Sequence, residues 1–212
     1  MPASTRIGCD AWLECNFMMI PTRVVICLSG GGDSVPLLYE AVAELGPENV
    51  AAAMFDYHAP HNSSELLFGR GHCLRLGVKF RTIELNAMGG LTEKDWKVPL
   101  RNAEFAIVAS RMALEIGADS VLFGCNKDDA EYPFPDCSPK FFRMINAVVK
   151  ASGYDVEIRA PYLKKHKWEI MAIAREHGVP LHELWSCYQP KNGAQCGVCP
   201  ACLKLKSAIE HK

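Results

Sequence analysis

The stretch Leu28-Ser29-Gly30-Gly31-Gly32-Asp33-Ser34 joins an apolar run, Arg23–Leu28, to a segment with helical periodicity, Ser34–Leu45. The apolar run is short, rich in β-branched residues and ended by glycine, which predicts a fully buried strand. Three consecutive glycines allow the backbone to turn tightly and to approach an anion closely. The free amide groups and the dipole at a helix start favour a phosphate at that position. The sequence therefore predicts a phosphate-binding turn between a strand and a helix.

Asp33 is the unusual residue of this loop, because a carboxylate repels phosphate groups. Its presence is explained if it caps the following helix, or if it holds Mg²⁺ that bridges to the phosphates. Ser29 and Ser34 add hydroxyl donors. The loop has neither the lysine of a Walker A sequence nor the spacing of a dinucleotide fingerprint. A plain strand–helix turn is the alternative interpretation.

Strands and helices alternate along the rest of the chain. Further strands are predicted at Val50–Phe55, Lys79–Leu85, Ser120–Phe123 and Val156–Pro161, and further helices at Ser64–Leu76, Asn102–Ile116, Ser138–Ala151 and Trp168–His177. Nearly continuous apolar strands separated by helices indicate a parallel sheet that is covered on both faces. The fold class expected is therefore α/β, a doubly wound parallel sheet. Ligands of such sheets bind at the carboxyl ends of the strands.

Composition excludes several classes of protein. The 212 residues are 49% hydrophobic and 22% charged, which is ordinary globular composition. With 23 basic and 24 acidic residues the net charge is −1, so the chain as a whole lacks the basic footprint of a nucleic-acid binder. A local basic patch is the alternative. No stretch approaches the roughly 20 apolar residues of a membrane span, and the N-terminal stretch lacks a signal-peptide pattern. A cytoplasmic protein is expected, with no membrane partner and no direct nucleic-acid partner.

Four of the ten cysteines lie within the last 26 residues: Cys187, Cys196, Cys199 and Cys202. Two CxxC steps and one cysteine from an earlier loop suit tetrahedral Zn²⁺. An iron–sulfur cluster and unligated thiols are the alternatives. We therefore expect residues 1–22 to be an N-terminal extension, residues 23–184 to be a phosphate-binding α/β domain, and residues 185–212 to be a metal-binding tail.

The glycine loop resembles the SGGxDS pyrophosphate loop of the N-type ATP pyrophosphatases. Other segments, in the same order along the chain, resemble the QueC family within that superfamily. These segments are Phe55–Tyr57 with His61, Val98–Asn102, Tyr132–Cys137, Lys167 before Trp168–Ile170, and Trp185–Tyr188 with Cys196–Cys202. The resemblance covers the chain from about Arg23 to its end. It implies a doubly wound sheet with ATP at the strand ends, and a homodimer.

The resemblance also implies roles for individual residues, and each role is an expectation. ATP would be bound by the loop residues Leu28, Ser29, Gly30, Gly31, Gly32, Asp33 and Ser34, together with Asp56, Tyr57 and His61. The substrate would be bound by Arg101, Asn102, Tyr132, Pro135, Asp136, Cys137 and Phe141. Asp33, Ser34 and Lys167 would act in catalysis, with Mg²⁺ as a cofactor. Strand-end turns, helix caps and solvated charges are the alternative explanations for these side chains outside the loop.

The reaction implied is ATP-dependent conversion of 7-carboxy-7-deazaguanine and ammonia to 7-cyano-7-deazaguanine, through an acyl-adenylate and an amide. The chain departs from the family pattern at Ser138–Phe141 and at His58–Pro60. It also has a shorter loop at 86–97 and two residues inserted before the Pro135–Cys137 triplet. These departures surround the expected substrate pocket. They leave open a QueC-like ligase that joins the deazaguanine carboxyl to another amine, such as a protein N-terminus in antiviral defence.

Two further hypotheses predict other features. A tRNA thiolation enzyme would need a basic RNA face and a catalytic cysteine pair, and the near-zero charge opposes it. A non-catalytic binding module stabilised by zinc would not need the complete Ser29–Ser34 loop.

Overall fold

A single parallel sheet organises the chain. The computed structural model describes residues 22–59, 61–85, 98–131 and 134–211. Within them the strands are β1 (Val24–Cys27), β2 (Val50–Asp56), β3 (Lys79–Glu84), β4 (Ser120–Leu122) and β5 (Glu157–Arg159). Their order is β3-β2-β1-β4-β5, and every pairing is parallel. The order reverses between β1 and β4, so the crevice of a doubly wound sheet opens directly after β1.

Helices connect the strands and cover both faces. They are α1 (Ser34–Leu45), α2 (Asn62–Leu76), α3 (Arg101–Ile116), α4 (Lys127–Glu131), α5 (Pro139–Ala151), α6 (Lys167–Glu176) and α7 (Pro200–Glu210). The predicted α/β class and element order are confirmed, with ends that shift by one or two residues. α4 was not predicted, because five residues are too few to show helical periodicity. Short 3₁₀ turns occupy Pro47–Asn49, Pro135–Cys137 and Leu181–Glu183.

β1 shows why the sheet is buried on both sides. Val25 and Cys27 face one core, which α3 and α5 cover, and Val24 and Ile26 face the other, which α1, α2 and α6 cover. Val24, Val25 and Ile26 are fully buried. Such a strand reads as a continuous apolar run because both of its faces are packed.

The C-terminal segment packs on the same core. Leu205 and Ala208 of α7 belong to the apolar cluster that contains α1 and α6. The division at residue 185 into a domain and a tail stays a prediction, and the expected extension lies almost wholly outside the described residues. Among the helices that the structure describes, none has the length and apolar character needed to cross a membrane.

Candidate active site

The glycine loop is held by contacts from distant parts of the chain. Gly30 has a φ of +73°, and a Cβ there would lie 2.6 Å from the carbonyl oxygen of Glu65 in α2. The backbone N–H of Trp185 donates to the Gly30 carbonyl at 2.9 Å. The backbone N–H of Ser29 donates to Ser34 Oγ at 3.1 Å. Only glycine fits at position 30, because a side chain there would strain the backbone and would clash with the backbone of α2.

Asp33 does not cap α1, since its side chain makes no capping hydrogen bond. Its carboxylate instead contacts the ammonium of Lys167, the first residue of α6. It also accepts a hydrogen bond of 2.9 Å from Asn126 Nδ2. Burial raises the pKa of Asp33, and the Lys167 ammonium opposes that rise. The structure therefore removes the helix-cap explanation and places a cation against this carboxylate.

Asn126 links Asp33 to a second carboxylate. This fully buried amide follows β4 and donates to Asp129 Oδ2 at 2.8 Å. Lys204 of α7 donates to Asp129 Oδ1 at 2.8 Å. Asp33 and Asp129 thus lie on either side of one amide group. Mg²⁺ prefers carboxylate oxygens, so Asp33 and Asp129 are the residues that could hold this ion beside the loop.

Sequence reasoning missed Asn126 and Asp129. Their signal was the polar run Asn126–Asp129, which comes shortly after the buried strand β4 at the ligand edge of the sheet. Asp128 of the same run accepts a hydrogen bond of 3.0 Å from the backbone N–H of Lys167 and contacts His166 Nδ1 at 2.7 Å. The run therefore positions Lys167 as well as Asp33.

A cavity of about 210 Å³ opens beside the loop, between β1, β4, α2 and α3. Predicted residues that line it are Leu28, Ser29, Asp33, Ser34, Tyr57, Arg101, Asn102 and Cys137. Glu65, Asp129 and Tyr188 line it without having been predicted. The structure thus joins the predicted ATP loop and part of the predicted substrate pocket in one space.

Other predicted site residues are not among the described residues that line this cavity. These are Gly30, Gly31, Gly32, Asp56, His61, Pro135, Asp136, Phe141 and Lys167. Tyr132 lies outside the described residues. Asp56 Oδ1 accepts a hydrogen bond from the backbone N–H of His58 at 3.2 Å, as in a turn. Phe141 packs edge-on against Phe142 at a centroid distance of 5.3 Å.

Arg101 is a buried cation at the wall of this cavity. Its guanidinium carbon lies 5.9 Å from the ring centroids of both Tyr57 and Phe105. Its Nε is buried and has no hydrogen-bond partner among the described residues. Burial lowers the pKa of Arg101, but Tyr57 and Glu65 more than offset this and hold it above its ordinary value. A charged donor with an unused N–H fits an oxyanion that enters from outside the chain.

The side chain of Asn102 contacts the triplet Pro135–Cys137 from the start of α3. Its Nδ2 donates to the carbonyl oxygen of Asp136 at 3.3 Å and contacts Cys137 Sγ at 3.6 Å. The helix itself begins at Arg101, with Leu100 before it in the left-handed region. Asn102 therefore lies inside the helix and does not cap it.

His61 and Tyr57 form a buried pair. His61 is 3% exposed, and its Nε2 lies 3.2 Å from the Tyr57 hydroxyl. Burial lowers the pKa of His61 to about 4, so the imidazole is neutral at pH 7. The His61 ring also lies edge-on to the Tyr188 ring, with 5.2 Å between the ring centroids. A role of this histidine at the phosphates stays a prediction.

Glu65 carries a carboxylate on the first turn of α2. Tyr57 donates its hydroxyl proton to Glu65 Oε2 at 3.1 Å. Burial raises the pKa of Glu65 to about 7, with Arg101 and the Tyr57 hydrogen bond opposing. No sequence pattern indicated a role for Glu65, because one glutamate in a helix normally faces solvent.

The four C-terminal cysteines form a compact cluster. The sulfur atoms of Cys187, Cys196, Cys199 and Cys202 all lie within 4.8 Å of one another. Backbone N–H groups point at two of them: those of Gln189 and Cys196 lie 3.3 and 3.2 Å from Cys187 Sγ, and that of Cys199 lies 3.3 Å from Cys196 Sγ. Such bonds stabilise thiolates. The group can hold a single tetrahedral ion, since a cubane cluster binds its thiolates to separate iron atoms farther apart.

The sheet order and the loop at its switch point define an α/β fold of the N-type ATP pyrophosphatase class. Three solved structures share it, each with a TM-score of 0.55. The U34-tRNA thiolase NcsA from Methanococcus maripaludis is 19% identical, and the match covers 88% of this chain and 62% of the thiolase. An NH3-dependent NAD synthetase from Campylobacter jejuni is 20% identical, with 78% and 68% covered. An NMN synthetase from Francisella tularensis is 16% identical, with 89% and 84% covered.

Sequence comparison identifies one family within this class. The family model described as "Queuosine biosynthesis protein QueC" matches residues 92–212, more than half of the chain. The 7-cyano-7-deazaguanine synthase of Leptospira interrogans is 33% identical, and the match covers 89% of this chain and 87% of the relative. The synthase of Porphyromonas gingivalis is 34% identical, with 87% and 91% covered. The chain belongs to the QueC family.

Proposed function

We propose that this chain is an ATP-dependent enzyme that converts 7-carboxy-7-deazaguanine and ammonia to 7-cyano-7-deazaguanine, with release of AMP and pyrophosphate. The cavity that joins the glycine loop to Arg101 and Asn102 carries the proposal. Relatives that are 33 and 34% identical over most of the chain bear the name of that synthase. Tyr57, Phe105 and Phe123 give the cavity aromatic walls, which suit a flat heterocycle.

The loop side of the cavity would bind the nucleotide. The amides after β1, the hydroxyls of Ser29 and Ser34, and the Lys167 ammonium are groups that bind polyphosphate. Asp33 and Asp129 would hold Mg²⁺, which neutralises charge on the phosphates and on the departing pyrophosphate. In the structure the Lys167 ammonium pairs with the Asp33 carboxylate. If Asp33 bound Mg²⁺, this ammonium would be available to bind the phosphates of ATP.

The far side of the cavity would hold the carboxylate. The Arg101 guanidinium, with its unused Nε–H, would bind a carboxylate oxygen and leave the other free to attack the α-phosphorus of ATP. The P–O bond to pyrophosphate breaks, and an acyl-adenylate results. Ammonia then displaces AMP from the carbonyl carbon and gives an amide. A second adenylation, at the amide oxygen, would drive loss of that oxygen and formation of the nitrile.

Burial of the reacting groups supports this sequence of steps. An acyl-adenylate is hydrolysed by water, so the reaction needs a closed site.

Zn²⁺ at the four cysteines would be structural, because all four coordination positions would be filled by protein ligands. Trp185, which bonds to the Gly30 carbonyl, links that cluster to the loop. The homodimer remains a prediction.

Ligation to another amine is the second candidate. The departures from the family pattern support it, since Ser138–Phe141 replaces the usual residues directly after the triplet. That change affects the acceptor side and leaves the loop, Arg101 and Asn102 in place. Activation of the carboxylate would be common to both candidates.

Thiolation of tRNA is supported by one observation, that Cys125 and Cys137 both line the cavity. A hydrogen bond with Cys137 and burial hold the pKa of Cys125 well above its ordinary value. A catalytic thiol needs thiolate character, so this environment opposes the role. The net charge of −1 also opposes binding to RNA.

The test is mass spectrometry of the products formed from ATP, Mg²⁺, 7-carboxy-7-deazaguanine and ammonia, with reactions that omit one component each. We expect the nitrile, AMP and pyrophosphate, and no nitrile when ammonia is absent. An exchange of labelled pyrophosphate into ATP, run without amine, isolates the activation step. Exchange that depends on another carboxylic acid but not on this one would exclude both ligase candidates. ADP and phosphate as products would contradict the pyrophosphatase chemistry.

A further inference from the structure

Glu65 is a carboxylate at the wall of the cavity that no step described so far uses. It lies on the first turn of α2, and its side chain is 17% exposed. Its own backbone carbonyl packs against Gly30 of the ATP loop. This turn of α2 is therefore fixed relative to the loop, and the carboxylate opens on the same space as Ser29, Asp33 and Arg101.

Among the residues that the structure describes, the groups that touch the Glu65 carboxylate are neutral. The Tyr57 hydroxyl donates to Oε2 at 3.1 Å, and Nε2 of the uncharged His61 lies 3.7 Å from Oε1. Arg101 of α3 and Tyr188 of the C-terminal segment are the other titratable groups that face it. The side chains of Tyr57 and Asn62 hydrogen-bond to this carboxylate, and no described ammonium or guanidinium group forms a direct ion pair with it. A carboxylate has about four acceptor positions, so it can still accept a proton or an N–H bond from a ligand.

Tyr57 connects this carboxylate to the predicted oxyanion site. The Arg101 guanidinium carbon lies 5.9 Å from the centre of the Tyr57 ring, and the hydroxyl of that ring bonds to Glu65. A cation suited to a substrate carboxylate and a base suited to an amine thus lie around one aromatic ring. An amide-forming reaction needs both groups at the same carbon atom.

We propose that Glu65 is the catalytic base that removes a proton from the acceptor amine during its attack on the activated carboxyl carbon; this inference rests on the proposed function. The nitrogen lone pair forms the C–N bond, and the C–O bond to the phosphate of AMP breaks with its electron pair leaving on AMP. The proton that the nitrogen loses passes to the Glu65 carboxylate and then to water. No oxidant or reductant is required.

Burial raises the pKa of Glu65 to about 7, which suits this role. A base with a pKa near the working pH is ionised in a substantial fraction of molecules and still accepts a proton readily. Below pH 7 the carboxyl becomes protonated, so the amine-dependent step should slow as pH falls. Adenylation precedes that step and should not follow the same dependence.

The experiment compares Glu65→Gln with the wild type by two measurements. Pyrophosphate exchange with 7-carboxy-7-deazaguanine, or trapping by hydroxylamine, reports activation, and ammonia-dependent amide and nitrile report the later step. Glutamine keeps the size of the side chain and an oxygen that accepts from Tyr57. We expect exchange within about threefold of wild type and a fall of about 10²- to 10⁴-fold in ammonia-dependent product. Glu84→Gln, at an exposed site at the end of β3, is the matched control.

Three outcomes would overturn the inference. Ammonia-dependent product within about threefold of wild type would show that no base is lost. A parallel loss of exchange and product would assign Glu65 to binding or positioning of the carboxylate substrate. If the variant does not fold, the wild type is measured from pH 5.5 to 8.5 at constant free ammonia, and identical profiles for exchange and product would reject the base. Absence of carboxylate-dependent exchange in the wild type would instead refute the proposed function itself.

Discussion

Lys167 and Asp33 form an ion pair across 134 positions of the sequence, and Asp33 of this pair lines the cavity of the candidate site. The lysine begins α6 and the aspartate precedes α1, so the pair joins the helices on one face of the sheet to the glycine loop. Their side chains are 12 and 24% exposed. A partly buried charge pair of this kind fixes the loop, and it also makes each partner costly to remove alone.

Replacement of Asp33 should therefore affect both activity and stability. The sequence alone predicts that Asp33→Ala abolishes ATP cleavage and leaves the fold intact. The ion pair changes the second part of this prediction. Asp33→Ala removes the carboxylate that pairs with Lys167 and leaves Asn126 with Asp129 as its acceptor. We expect a loss of about 3 kcal/mol in the free energy of unfolding. Asp33→Asn, which still accepts from Asn126, should lose less. Urea unfolding and pyrophosphate exchange measure the two effects, and retained exchange in Asp33→Asn would argue against a metal or phosphate role.

Gly30→Ala should impair the loop. The φ of +73° strains an alanine, and its Cβ would lie 2.6 Å from the Glu65 carbonyl oxygen. We expect destabilisation by at least about 1–2 kcal/mol and weaker ATP binding, measured by thermal unfolding and by calorimetric titration. Gly71→Ala in α2 is the control, because nothing lies within 4 Å of its Cβ position. It should stabilise by about 0.5–1 kcal/mol, and equal effects at both positions would contradict the argument.

One zinc ion per chain is expected at the cysteine cluster, and Cys199→Ser should lower both metal content and stability. The sulfur atoms are close enough for one ion, and metal binding would contribute to folding of this segment. Elemental analysis and thermal unfolding test this, with Cys73→Ala as the control. Cys73 is also buried but lies in α2, outside the cluster, so that variant should keep its metal. Iron–sulfur absorption in the visible range would reject zinc.

Glu65→Gln should gain stability relative to the wild type as pH rises. The folded-state pKa is raised from 4.5 to about 7. A raised pKa means that protons favour the folded state, so this stabilisation is complete below pH 4.5 and is lost as pH rises through 7. The variant has no such group, and its advantage in unfolding free energy should be about 2 kcal/mol larger at pH 8 than at pH 5.5. Urea unfolding at both values measures it, and a constant difference would refute the buried-carboxyl assignment.

Local patterns in the sequence determined the fold and the two most distinctive sites. A buried strand, a glycine run and a helix start are neighbours along the chain, so Ser29–Ser34 indicated the turn without knowledge of its surroundings. Alternation of strands and helices predicted the parallel sheet because period and length are properties of each segment. The spacing of Cys187 and the two CxxC steps predicted the cluster for the same reason, since most of its ligands lie on one short segment.

Tertiary structure decided which polar groups face one another. Asn126 and Asp129 follow β4, and Lys167 follows β5. They meet Asp33 only because the carboxyl ends of parallel strands share one edge of the sheet. The burial of Glu65 and His61 depends on where α2 packs against the glycine loop, which no local pattern shows. The roles expected for Asp56, Asp136 and Phe141 stay predictions. Desolvation and pairing are properties of the folded neighbourhood, so the charge state of a site residue follows from its distant contacts and not from its place in the sequence.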